Sequence, residues 1–471
     1  MFNNLMPPLF KSSKRIILLF VLLLSPMFVF AAGGVPPSIG PVRVEFIIFG
    51  LLLLGVALFH KQTFWVAITG LSVLLAFKLI FDPGFHLPEH LFGEAPIGEQ
   101  LLDKEFRQGE WGIILNLGGL LLGFALLSKI FEESGVPDIL PNYLPDDWKG
   151  PFLLLVFVFV MSAFLDNIAA ALIGGTIALV VFKKKVHIGY LAAIVAASNA
   201  GGAGSVVGDT TTTMMWIDGV SALNVLHAFI ASIFAFLIFA WIGSHQQDKF
   251  SRIQKDAKPG IKIDWVRISV VALILVGAII MNIVYDMPAL GVWLALLIGS
   301  FIIKVPWKEI PGALKGTVFL LCLVMSASMM PVEELPDASW FTALALGFLS
   351  AVFDNIPLTK LCLDQGHYDW GMLAFSVGFG GSMVWFGSSA GVALTNKFPE
   401  GRNVVNWVKK GWHIAPSYVT GFFMLYIIMG WEPADNKEHK IENCPVPGCP
   451  MADHVATLEK TGTLSYLELL E

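Results

Sequence analysis

The sequence predicts an all-α polytopic membrane protein built as an inverted-topology repeat, each half with a re-entrant helical hairpin and a broken transmembrane helix. Three observations carry that prediction: the composition, two apolar stretches split by an Asp-Asn pair, and a glycine-rich hydrophobic segment behind each. Of the 471 residues, 56% are hydrophobic and 14% charged, where a water-soluble domain usually carries about 25% charged residues. Mean hydropathy is +0.72. Apolar content on this scale suffices for on the order of 10–12 bilayer-crossing segments of ~20 residues each. The formal net charge of −6 and the four cysteines leave neither a basic domain for nucleic acid nor a disulfide scaffold. A soluble enzyme, a nucleic-acid binder and a disordered chain are excluded.

Residues 1–32 follow the grammar of a secretory signal, or of an uncleaved first membrane helix. Lys11, Lys14 and Arg15 precede an apolar stretch over 16–30, and Val29-Phe30-Ala31 offers a small-residue cleavage site. Gly33-Gly34 and Pro36-Pro37 then read as a released, loop-like start. Residues 33–111 hold N-terminal membrane helices and an acidic loop, and 112–243 form the first repeat. A basic loop covers 244–267, the second repeat 268–430, and a polar tail 431–471. Apolar runs over 45–60, 63–81, 112–131, 223–243, 268–285, 289–303, 313–330 and 413–430 are each expected to cross, or nearly cross, a bilayer.

Four segments depart from simple spans. The stretch 151–182 is interrupted by Asp166-Asn167. Each arm is about 15 residues, roughly 22 Å as helix, and falls short of a hydrocarbon core of ~30 Å. Two half-depth arms meeting at a polar tip describe a re-entrant hairpin. The stretch 340–363 repeats the plan with Asp354-Asn355-Ile356-Pro357 at its tip, where the proline favours an extended Ile356. Behind the hairpins lie 196–213 and 378–391, rich in glycine, serine and threonine. At membrane depth that composition suits an unwound helix whose freed carbonyls face a cavity. Small residues also allow close helix packing, but an Asp-Asn pair followed by such a segment, twice in one chain, points to a site.

Charge supplies the orientation. The loop 244–267 carries six Lys or Arg, the loop 397–410 four, and Lys183-Lys184-Lys185 closes the first hairpin; these belong on the cytoplasmic side. Seven acids against Lys104 and Arg107 over 82–111 place that stretch outside. The first hairpin is then expected to enter from the cytoplasm and the second, flanked by Glu333-Glu334, Asp364 and Asp369, from outside. The acidic loop 132–150 falls inside, against its charge, although acids weigh little in this rule. The tail falls outside.

A carboxylate at the bilayer centre costs roughly 2.5–3.5 kcal/mol on insertion scales. Asp166, Asp209 and Asp354 all sit at or beside helix breaks, so they are expected to hold or pair with something. A carboxylate removed from water is stable with a proton or with a cation beside it. Proton and metal ion therefore compete for one group, which is the physical core of cation/proton antiport. Alkali ions, like other hard cations, take oxygen ligands. Asn167, Ser198, Asn199, Thr210, Thr211, Thr212, Asn355, Ser382, Ser388 and Ser389 supply them. A hydroxyl bonded back within its own helix is the plainer reading of any single threonine, and an interhelical bond that of Asn199.

The motifs Phe164-Leu165-Asp166-Asn167, Ser198-Asn199-Ala200-Gly201-Gly202 and, above all, Gly208-Asp209-Thr210-Thr211-Thr212-Thr213-Met214-Met215-Trp216-Ile217 resemble NhaD-type sodium/proton antiporters. These belong to a larger ion-transporter superfamily that includes arsenite, citrate and dicarboxylate carriers. Asp354-Asn355-Ile356-Pro357-Leu358 and Phe386-Gly387-Ser388-Ser389-Ala390-Gly391-Val392-Ala393 look like the matching second module. The resemblance spans roughly residues 110–430. It implies scaffold helices with two transport modules, often as a homodimer in the bilayer, and cation binding by Asp166, Asn167, Asn199, Asp209, Thr211 and Asp354. The cargo would be Na+, with Li+ as an alternative, against H+, with no cofactor and no catalytic residue. A multi-pass protein of a bacterial-type inner membrane is the expected setting. The second module lacks a Ser-Asn ahead of its glycines and has Ser388 where the first has Asp209.

Two other functions are weighed. A sodium-coupled citrate or dicarboxylate symporter would need two Ser-Asn-Thr-like breaks around the anion, and only one Ser-Asn is present. An aspartyl protease dyad would need Gly-x-Gly-Asp where the chain reads Val207-Gly208-Asp209. Cys444 and Cys449, with His439 and His454, match no zinc spacing well; a disulfide is favoured if the tail is periplasmic. Cys322 and Cys362 read as small core residues. His60, His187 and His413 lie near membrane boundaries, as pH sensors or as interface residues. Lys360, six residues after Asp354, reads as a counter-ion to it or as a snorkelling side chain.

Overall fold

A computed structural model of the protein describes residues 37–59, 62–254 and 262–435. The segment 1–32, His60 and the tail cysteines lie outside the described residues. A two-residue antiparallel ladder, Ser38–Ile39 with Val42–Arg43, opens the described chain, and helices follow it. Helices α1 (Val44–Leu58) and α2 (Thr63–Phe81) pack together, then short α3 (Leu87–Phe92) and α4 (Ile97–Leu102) lead into α5 (Trp111–Glu132). The first hairpin is α6 (Lys149–Ser162) and α7 (Asn167–Val181), and the first broken helix is α8 (Ile188–Ala203) and α9 (Thr210–Ile217). Long helices α10 (Ala228–Phe250) and α11 (Trp265–Tyr285) precede α12 (Pro288–Ser300) and α13 (Ile310–Ser328). The second hairpin is α14 (Trp340–Ser350) and α15 (Asn355–Gln365), the second broken helix α16 (Trp370–Gly380) and α17 (Ser389–Lys397), and α18 (Val404–Lys410) and α19 (Ile414–Met429) follow.

Among the described residues, five helices are long and apolar enough to cross a membrane, six if the pair α18 and α19, bent by 57°, counts as one span. This makes the chain a multi-pass membrane protein. It is also fewer full-length spans than the apolar content alone suggested. Much of that content lies in helices of 10–17 residues, too short for a ~30 Å core. The runs over 45–60 and 289–303 resolve into such short helices and that over 413–430 into the second piece of the bent pair; those over 63–81, 112–131, 223–243, 268–285 and 313–330 coincide largely with full-length ones.

The breaks lie where the Asp-Asn pairs sit. Asp166 ends the turn after α6 and caps α7, its Oδ2 accepting from Ile168 N at 3.2 Å; Asp354 caps α15 through Ile356 N at 3.1 Å. Short polar side chains favour this position because they satisfy amides that no helical carbonyl reaches. The two hairpins are fastened alike. Ser162 donates to Ser198 O at 2.5 Å and Ser350 to Val377 O at 2.6 Å, each tying a first arm to the broken helix behind it.

Every residue of α8 and of α16 is buried, and these two helices pack against each other at the centre. Around them the contacts are reciprocal: α7 packs on α17 of the other half, and α15 packs on α9. Helix α5 packs on α7 and α9 and α13 packs on α15, α11 and α12 lie against α5, and α2, with α1 behind it, lies against α13. The outer surfaces of α11 and α12 are apolar, with Ile283 and Leu297 exposed, as lipid-facing helices are.

Candidate functional site

Asp209 is the most buried of the three aspartates, with 2% of its surface exposed. The chain leaves α8 at Gly204, unwinds over five residues and re-enters helix at α9, which Asp209 caps. The unwound loop is held by the threonines that follow. Thr212 donates to Ser205 O (2.6 Å) and Asp209 O (2.9 Å), and Thr213 to Val206 O (2.9 Å) and Asp209 O (2.8 Å). For these two hydroxyls the plainer reading holds: they staple backbone. Thr211 instead turns toward the carboxylate, Oγ1 donating to Asp209 Oδ2 at 2.8 Å.

The other oxygen of Asp209 is bound by the hairpin tip. Asn167 Nδ2 donates to Asp209 Oδ1 at 3.0 Å and to Asn199 Oδ1 at 3.1 Å. Asn199 Nδ2 then donates to Ser382 Oγ at 2.9 Å. One network thus joins the first hairpin, the first broken helix and the break of the second. Two glycines make room for it. A Cβ on Gly202 would stand 2.6 Å from Gly208 O and 3.0 Å from Asp209 Cβ, and one on Gly378 would stand 3.0 Å from Asp209 Oδ2. Counting along the broken helices, Gly378 occupies the second-module position of Asn199, and Ser388 that of Asp209.

Asp166 and Asp209 line one narrow cavity with Thr210, Thr213, Val207 and apolar side chains of α5. Asp354 lies within range of the Asp209 charge and faces the Ser389 hydroxyl. Ser388 caps α17, accepting from Gly391 N at 3.2 Å. Four helix N-termini therefore meet in this region, those of α7, α9, α15 and α17, and aspartates cap three. Each N-terminus carries roughly half a positive elementary charge, which a capping carboxylate offsets.

The sequence-predicted residues are not all equally engaged. Ser198 donates to Val195 O at 2.9 Å within its own helix, and its carbonyl receives Ser162. Asn355 is buried, and its carbonyl accepts from Thr359 at 2.9 Å. Among the described residues no three His, Cys, Asp or Glu side chains stand close enough to share a metal ion. The three aspartates therefore do not crowd one point: Asp209 stands with Thr211 and Asn167, Asp166 across the same cavity, and Asp354 with Ser389. Ser382, already counted among the candidate oxygens, and Gly378, absent from them, complete the network. A serine directly behind a glycine pair, buried in a membrane segment, is the signal that marks the first.

Lys360 is not a counter-ion to Asp354. Its ammonium bonds Asp364 Oδ1 at 2.7 Å and Glu110 Oε1 at 2.9 Å. His413 is fully buried rather than at a wet boundary, while His187, half-buried, caps α8. Cys322 and Cys362 are buried free thiols, as expected.

A family model described as citrate transporter matches residues 61–380, more than half of the chain. The chain belongs to the citrate transporter family. Within this family description it is similar to sodium/proton antiporter 1 of Arabidopsis thaliana, 26% identical over 321 residues, covering 58% of this chain and 55% of that protein. It is likewise similar to the Na(+)/H(+) antiporter NhaD of Alkalimonas amylolytica (27% over 293 residues, 50% of this chain, 60% of that one) and of Vibrio cholerae (28% over 295 residues, 50% and 61%). The resemblance drawn from the Asp209 motif is thus met by proteins of the same name. The chain spans 55 to 61% of the length of these relatives.

Proposed function

We propose that this protein is a secondary active transporter exchanging Na+, or Li+ in its place, for H+, with no cofactor and no enzymatic step. The observation that carries the reading is the set of caps: aspartates occupy three of four meeting helix N-termini, and Asp209 is oriented by Asn167 and Thr211. Bare N-termini would attract an anion; acidic caps make the same region attract a cation or a proton. None of the three aspartates is tied up in an ion pair among the described residues, whose pairs use other acids. The names of the relatives agree.

The reciprocal packing of α7 on α17 and α15 on α9 supports an inverted repeat, with 112–243 and 268–430 as transport modules and re-entrant hairpins entering from opposite faces. In this reading the protein sits in a bacterial-type inner membrane, as a homodimer, with its basic loops inside and its tail outside. A carboxylate that gives up a proton takes Na+ with the neutral oxygens beside it, and the complex reverts when a proton returns from the other side.

The test is proton flux in everted vesicles on adding Na+, Li+, K+ or citrate. Na+ and Li+ should release protons, and Asp209→Asn should abolish the response at normal expression. Normal Na+/H+ exchange by Asp209→Asn would overturn the site. Because proton and cation compete, KM for Na+ should rise as pH falls, by up to about tenfold per unit for one proton.

A second reading is supported by the family description and by α17, whose N-terminus bears the neutral Ser388: sodium-coupled carboxylate symport. Saturable counterflow of labelled citrate in proteoliposomes would favour it.

A further inference from the structure

Lys360 is a lysine 1% exposed in the body of a membrane protein, and the site described above does not use it. It lies on α15, six residues beyond Asp354, and its ammonium is divided between two acids that belong to different parts of the fold. Asp364 is one turn further along the same helix. Glu110 is the residue before α5, and its backbone amide donates to His90 O at 3.1 Å. Asp218, at the end of α9, lies within range of the same charges.

Glu110 belongs to a folded cap. Gln100, fully buried, donates to Phe92 O (2.6 Å) and Ala95 O (2.7 Å) and accepts from Gln108 N (3.0 Å) and Trp111 Nε1 (2.7 Å). Arg107 bonds Tyr285 O at 2.9 Å at the end of α11. The cap is thereby fixed to α5 and α11, on the scaffold side, and Lys360–Glu110 joins it to the hairpin arm.

We infer that the Lys360–Glu110 pair is a clasp that closes the pathway between the hairpin arm α15 and the cap over 87–110, and that the cation enters from that side only after Lys360 lets go of Glu110. This inference rests on the reading that the aspartates of the breaks hold the transported cation. The division of charge is suited to release. Removing one partner of a buried ion pair leaves an uncompensated charge, but Asp364 is carried on the same helix and stays with Lys360 whichever way α15 moves. Glu110, already 14% exposed, is left at the rim, where water can reach it. Lys360 also stands about 9 Å along the helix from Asp354 at 1.5 Å per residue, so movement of the clasp is movement of the arm that carries a site carboxylate.

The test uses the full chain in vesicles of both orientations. Glu110→Ala breaks the clasp while Lys360 keeps Asp364. If the clasp holds the cap side closed, its loss raises the fraction of open molecules, and apparent affinity rises with that fraction. KM for Na+ presented on the cap side should fall at least threefold, while KM on the opposite side stays the same or rises as that side opens less often. The reversed pair, Glu110→Lys with Lys360→Glu, should return it toward the native value. Equal shifts on both sides, or none, would overturn the clasp.

A second readout does not depend on the ion carried. Cys362 lies between Lys360 and Asp364 and is 3% exposed. With Cys322, Cys444 and Cys449 replaced by serine, a membrane-impermeant maleimide added on the cap side should label Cys362 at least tenfold faster in Glu110→Ala. Faster labelling in a protein that does not exchange Na+ would refute the antiport reading and keep the clasp. Exchange with labelling and KM both unmoved would refute the clasp alone.

Discussion

Asp209 takes three side-chain or amide donors within the first module, but the space that its Oδ2 occupies is granted by the second. Gly378 stands there, where a Cβ would come within 3.0 Å of that oxygen. Gly378→Ala should therefore displace the carboxylate while leaving α16, buried on all sides, in place. We expect KM for Na+ to rise about tenfold, or ~1.4 kcal/mol, with little change in maximal rate, read by titrating Na+ against proton flux. Asn167→Ala removes donors to Asp209 and Asn199 together and should weaken binding more. Asp166, Asn167, Asp209 and Asp354 were legible in the sequence because a carboxylate amid apolar residues has few innocent explanations. Gly378 was not, because its partner Asp209 lies more than 160 residues away in the chain and only the packing of α8 on α16 brings them near. Ser198 and Thr212 stand apart from this network for a local reason: a hydroxyl in or beside a helix has a backbone carbonyl within reach, and theirs donate to one.

At the scale of elements, the hairpins and broken helices could be read because length is physics: an apolar run split by Asp-Asn leaves arms too short to cross. The cap could not. Its seven acids mark 82–111 as an exposed loop, whereas the segment is folded around Gln100, a residue whose type gives no hint of burial. Gln100→Leu should loosen the cap by about 1–3 kcal/mol, since it leaves Trp111 Nε1 and two backbone carbonyls without their partner. Faster hydrogen exchange over 87–110, with α8 unaffected, is the expected result. His90 makes the cap pH-dependent. Its Nε2 lies 3.0 Å from Ser328 Oγ, and burial, the largest influence, pushes its pKa below the ordinary 6.5 despite the nearby Glu110. Above pH 6.5 neither docked nor undocked cap is protonated there, and docking is at full strength. As pH falls through 6.5 the undocked form takes the proton first, so docking weakens. Hydrogen exchange of the cap should quicken between pH 7 and 5, and His90→Gln should flatten that response.

For the whole molecule, the strongest constraint is the reciprocity of the two halves. In the first, the hairpin's second arm meets the far piece of the other half's broken helix; in the second, the same is true with the partners exchanged. A two-fold relation between the halves produces this exchange; we propose that its axis lies in the membrane plane, so that the hairpins enter from opposite faces. The charge pattern supports that direction of the axis: the basic loops 244–267 and 397–410 and the acidic stretch 82–111 are expected on opposite faces. The halves are nonetheless unequal, with Asp209 and Asn199 facing Ser388 and Gly378, so geometric symmetry does not carry over into equal charge. The orientation can be tested one cysteine at a time in an otherwise cysteine-free protein. An impermeant thiol reagent outside intact cells should label Glu94→Cys and leave Lys249→Cys unlabelled, and everted vesicles should reverse both. The hairpin tips give the deeper test: Ala163→Cys should be reached only from the Lys249 face and Val352→Cys only from the Glu94 face. Both tips labelled from one face would rule out the inverted arrangement even if every aspartate proved essential, because the site would then open to one compartment through both modules and could not alternate between two.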